Sequence, residues 1–191
     1  MDRFEFVQIP ISIVLGLAIS EILAGWGHQL RRRNEQDYSA LQIVACAYVL
    51  MWSFRYLWGQ WATQPEAWDY ALYLLAAAPA IVLALAAHVI RFDPTLREHD
   101  QNSQYDRSRR PVCVLIALFP ALMVARIVYQ RGGFQFQHPL IPVYLFLIAL
   151  TFAWLAVSSR PRDQWIGWSL AWAIQLVIFA SFNSTLTLAP L

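Results

Sequence analysis

Apolar residues run along this chain in six long blocks separated by short polar stretches. The blocks cover residues 6–30, 38–61, 68–90, 111–130, 139–159 and 165–186. Each holds 20 to 25 residues, and at ~1.5 Å rise per residue a helix of that length spans the ~30 Å of bilayer hydrocarbon with some tilt. The fourth block is interrupted by Pro120 and Arg126, the third by Pro79. The first block is expected to be a span rather than a cleaved signal peptide, because its apolar run is too long and its basic cluster follows it. The pattern predicts an all-α polytopic membrane protein, a bundle of six transmembrane helices forming one domain over residues 1–191.

Arginine placement adds a direction. Arg31, Arg32 and Arg33 follow the first block. Arg91, Arg97, Arg107, Arg109 and Arg110 follow the third, and Arg160 and Arg162 the fifth. The opposite side carries Arg3 and Arg131, while Arg55 and Arg126 lie within blocks. Basic loops stay in the cytoplasm, so both termini are expected outside, in the periplasm of a bacterial inner membrane. Arg31, Arg32, Arg33, Arg107, Arg109 and Arg110 are then read as topology anchors that reach the headgroups. Trp58, Trp61, Trp68 and Tyr70 around the outer loop, and Trp165 and Trp168 at the inner start of the last block, fit interfacial belts.

The longest polar stretch, "RFDPTLREHDQNSQYDRSRRP", is too short for a domain. Residues 91–110 are read as a cytoplasmic loop in which Asp93 caps, and Pro94 opens, a short surface helix. This loop splits the chain into two sets of three spans, the arrangement an inverted repeat would require, but the prolines of the third and fourth blocks do not correspond.

Composition agrees with burial in lipid. The 191 residues are 59% hydrophobic and 14% charged, where a soluble domain carries about a quarter charged. All fourteen basic residues are Arg. Cys46 and Cys113 sit in apolar runs without a zinc or CxxC pattern and read as packing residues. Neither nucleic-acid binding nor a cofactor is indicated, and no GxSxG or HExxH pattern points to an enzyme.

The runs "SIVLGLAISEILAGWGHQLRRR", "WSFRYLWGQW" and "LYLLAAAPAIVLALAAHVIRFDP…LREH" resemble a group of small bacterial multi-helix inner-membrane proteins with no assigned activity. The resemblance covers roughly the first hundred residues. It implies a bacterial inner-membrane location and carries over no catalytic residue.

Candidate chemistry rests on ionisable groups inside the blocks, which are costly there and often functional. Glu21 stands ~22 Å along the first span, while Arg55 and Arg126 lie ~9 and ~6 Å below the outer ends of theirs. Arg55 and Arg126 are therefore expected in an outer charge network with Glu66 and Asp69. Glu21, with no cation at its depth, is matched to Gln175 and Ser20. It could be a structural carboxyl, a proton or cation relay, or part of an oligomer contact beside Gly16, Ser20 and Gly27. His28 and His88 each stand three residues before an arginine at an inner helix end, a placement that would suit haem, but no ligand motif accompanies them. Two functions follow: a non-catalytic subunit or scaffold that associates through its helices with copies of itself or other membrane subunits, or a small channel or coupled transporter using Glu21.

Overall fold

The computed structural model describes residues 3–31, 40–62, 68–91, 100–134 and 140–186. These residues form six helices: α1 (Arg3–Arg31), α2 (Ala40–Ala62), α3 (Tyr70–Ile90), α4 (Asp100–Arg131), α5 (Leu140–Val157) and α6 (Pro161–Leu186). Among the described residues there is no strand. Five helices, α1 to α5, are long and apolar enough to cross a membrane. The sixth opens on Arg162, Asp163 and Gln164, carries three tryptophans, and is not one of these five.

The largest departure from the sequence pattern is at α4. Its helix begins eleven residues before Pro111, at Asp100. Tyr105 and Ser108 are buried on the same face as Val112, Ile116 and Phe119, so the helical period runs straight through the proline into residues first read as loop. The expected surface helix at Asp93 and Pro94 lies outside the described residues, as do Arg32, Arg33, Arg97 and Glu66.

Local signals fix several helix ends. Asp69 N-caps α3 by accepting from the Leu72 N–H at 2.7 Å, satisfying one of the orphan donors of the first turn. At the end of α4, Gly132 takes φ 65°, and Gly133 and Gly132 donate to the Val128 and Tyr129 carbonyls at 3.0 and 3.4 Å. That paired pattern closes a helix, and only a residue without Cβ enters it freely.

α2 runs through the middle of the bundle. The Tyr48 ring lies 5.2–5.6 Å from those of Phe152 on α5 and Trp168 and Trp172 on α6. One turn on, Trp52 meets Phe119 of α4 at 4.9 Å. Most of these pairs are edge-on, the arrangement aromatic quadrupoles favour. α1 packs mainly on α3, α3 on α4, and α4 on α5. Outward faces carry Ile9, Ile13, Leu17, Leu74, Phe146 and Leu150, as surfaces turned to lipid do.

Candidate functional site

Polar groups gather at the two ends of this bundle. At one end lie the C-terminal parts of α1, α3 and α5 and the first turns of α2, α4 and α6. The last carbonyls of a helix have no partner within it, and here glutamines supply them. Gln42 of α2 donates to the Ile90 carbonyl and Gln104 of α4 to that of Arg91, each at 2.9 Å. Gln164 of α6 donates to the Leu155 and Ser158 carbonyls at 3.1 and 2.8 Å. Arg109 adds a bond to Ser158, whose hydroxyl donates to Asp163 at 2.6 Å. Behind them the Trp168 indole donates to the Tyr105 hydroxyl, which donates to Gln164 Oε1, at 2.9 and 3.1 Å. Sequence reading missed these three glutamines. The available signal was position, since each falls within the first five residues of an even-numbered helix.

Glu21 belongs to this end. Its Oε1 lies 3.2 Å from His88 Nδ1 and 3.4 Å from an Arg91 guanidinium nitrogen. The expected lack of a nearby cation is therefore corrected: α3 runs parallel to α1 and ends at its level, while α1 continues ten residues further. The expected match to Gln175 is not made either. α6 packs against α5 and α2, and Gln175 is buried there with its Oε1 unpartnered. Side chains of the trio are 32%, 57% and 48% exposed for Glu21, His88 and Arg91, placing them at the rim of the bundle.

At the opposite end Asp69 and Arg126, two described members of the expected charge network, do not pair with each other. Arg55 stands over the Trp52 ring at 5.7 Å, a cation–π contact. Arg126, only 4% exposed, donates to the Tyr56 hydroxyl at 3.3 Å, and that hydroxyl donates to the Ala76 carbonyl at 2.5 Å. Asp69 serves the α3 cap and accepts from Tyr129 at 2.7 Å instead of pairing with Arg126. Its carboxyl is held below the usual carboxylate range, first by the Leu72 N–H and then by the Tyr129 hydroxyl, both of which bond the charged form. Glu66, the other expected acid, lies outside the described residues.

Of the remaining candidates, Arg107 and Arg110 are exposed on the first part of α4 and Arg109 is partly buried there. The side chains of His28 and Arg31 lie outside the described set. Among the described residues no three His, Cys, Asp or Glu side chains are grouped as a metal site would need. Between the two ends the described buried polar groups are Ser53, Thr151 and Gln175, with the unpartnered Tyr48 hydroxyl and Trp52 Nε1. Ser53 and Thr151 turn their hydroxyls back to the Val49 and Leu147 carbonyls of their own helices.

The class this architecture defines is an all-helical protein with the helices of a multi-pass membrane protein. No family model, curated protein or solved structure matches the chain.

Proposed function

We propose that this chain is a non-catalytic membrane subunit that assembles through its helices, with copies of itself or with another membrane protein. In this reading all six helices cross a bacterial inner membrane and both termini lie in the periplasm. One observation carries it: the polar groups at the two ends are separated by a packed layer of Tyr48, Trp52, Phe119, Phe152 and Trp168. A path for ions needs polar groups or water along its length. Here the polar side chains at the Glu21 end are occupied in closing helix termini and bridging α1 to α3, which is support for a fold rather than transport.

Native mass measurement after gentle detergent extraction tests the proposal. The expected result is a mass above one chain, from copies or from a second membrane protein. Reconstituted vesicles provide the competing outcome. A strictly monomeric protein that passes ions or protons, and loses that flux in Glu21→Gln, would overturn the subunit reading in favour of a channel or coupled transporter.

A further inference from the structure

Arg126 carries a charge that the described fold leaves uncompensated. A guanidinium keeps its charge in proteins and has five N–H donors. Burying one without an anion is strongly unfavourable. Arg126 is 4% exposed, yet no described carboxylate pairs with it. Its one bond to a described residue, from Nη1, goes to the Tyr56 oxygen, and its Nη2 is buried without a partner. The Tyr56 proton is already committed to Ala76, so that hydroxyl turns a lone pair, not a proton, toward the guanidinium.

Two further buried donors stand near the same height. Gln60 follows Tyr56 by one turn of α2, is 1% exposed, and turns its side chain toward the Tyr56 hydroxyl without completing a hydrogen bond from Nε2. Gln8 of α1 is also buried with its Nε2 unpartnered. α1 and α3 run parallel with Glu21 beside His88, so Gln8, ~20 Å back along α1, is level with Leu75, next to the Ala76 carbonyl that Tyr56 caps. Beside Arg55 over Trp52 and Asp69 on Tyr129, this end thus holds the buried Arg126 guanidinium, whose Nη2 has no acceptor, and two buried amide donors without one. That is the complement of an anion.

We propose that Arg126, with Gln60 and Gln8 as neutral donors, holds a singly charged oxyanion at this end of the bundle. One guanidinium balances one negative charge, which favours a phosphodiester or a carboxylate over a doubly charged phosphate monoester. A phosphodiester would come from a phospholipid headgroup and a carboxylate from a free small molecule. Either accepts from the flat guanidinium through two oxygens.

The test uses the full chain in detergent after delipidation. Phosphatidylglycerol and acetate are titrated separately at constant ionic strength, and binding is followed by native mass and by tryptophan-monitored thermal unfolding. The parent is expected to bind one probe saturably. Saturation by phosphatidylglycerol alone identifies a lipid headgroup, whereas competition between acetate and lipid identifies a site open to free carboxylates. Arg126→Gln is expected to weaken binding by tenfold or more, the order of a lost charge-assisted hydrogen bond at ~1.5–3 kcal/mol. Gln60→Leu, which places an apolar side chain in the core, is expected to fold and to weaken binding severalfold, so it decides the matter if Arg126→Gln does not fold. Failure of both probes to bind the parent, or unchanged affinity in the variants that fold, overturns the proposal.

Discussion

Glu21 shares its carboxylate between His88 and Arg91, and the strength of that sharing depends on what surrounds it. At a wet interface an ion pair contributes about 1 kcal/mol or less. In hydrocarbon, removing one partner strands a charge and costs about 3–5 kcal/mol. The trio's place at the C-terminal end of α3, level with the polar helix termini, argues for the first. Glu21→Gln is therefore expected to lower unfolding stability in detergent by about 1 kcal/mol or less, and a loss several times larger would place the trio inside the lipid. Asp69 offers a pH dependence of known sign. Its folded pKa lies below the ordinary value of 3.8, so its contribution is present above that value and lost as pH falls through the folded pKa. The parent should exceed Asp69→Asn in stability near neutral pH and match it in strong acid; a gap that persists in acid would refute the assignment. Both residues stood out in the sequence as candidates, but their pairing with His88, Arg91 and Tyr129 did not. Depth along one helix says nothing about which neighbour ends beside it, and Arg91, counted among the loop arginines, proved to be the missing cation.

α5 and α6 meet at Gly167, where a Cβ would lie 2.6 Å from Leu155 Cγ. Leu155 is fully buried and has nowhere to withdraw. Gly167→Ala thus sets a steric cost of about 1–3 kcal/mol against a helix-propensity gain of ~1 kcal/mol, and the expected net effect is destabilisation. Gly16 is the control. A Cβ there meets nothing within 4 Å, so Gly16→Ala should stabilise by roughly 0.5–1 kcal/mol. Equal shifts in chemical or thermal unfolding for the two variants would mean that close α5–α6 packing is absent. The existence of the helices was legible from apolar length alone. Their neighbours were not, because in lipid Ile13 or Leu150 can face outward at little cost and the buried side is no more apolar than the exposed one. The useful marks were aromatic and small residues and the glutamines. α4 was misjudged at its start for a related reason: Pro111 and the charged residues around it suggested a boundary, while the spacing of Tyr105, Ser108 and Val112 continued the helix.

For the molecule as a whole, threading follows from charges that barely enter the packing. Ten arginines lie at or after the ends of α1, α3 and α5 or within the first three turns of α4 and α6, against Arg3 and Arg131 outside the apolar blocks at the other end, where Arg55 and Arg126 lie within them. The bundle is consistent with that division, since Gln42, Gln104, Arg109 and Gln164 join at one end the termini that alternate threading brings together. Packing alone would look the same with the bundle inverted, so orientation rests on the retention of basic segments in the cytoplasm. Whether α6 crosses decides where the C-terminus lies. A reporter active only in the periplasm is expected to work when fused after Leu191 and to fail when inserted after Arg97. Activity at Arg97 and silence at Leu191 would invert the threading. Silence at both would leave α6 on the cytoplasmic side and reduce the crossings to five. Neutralising Arg31, Arg32 and Arg33 together should then raise the share of inverted molecules, because these are the first basic residues to meet the insertion machinery after a span, and an unchanged reporter signal would shift the topological weight to Arg107, Arg109 and Arg110.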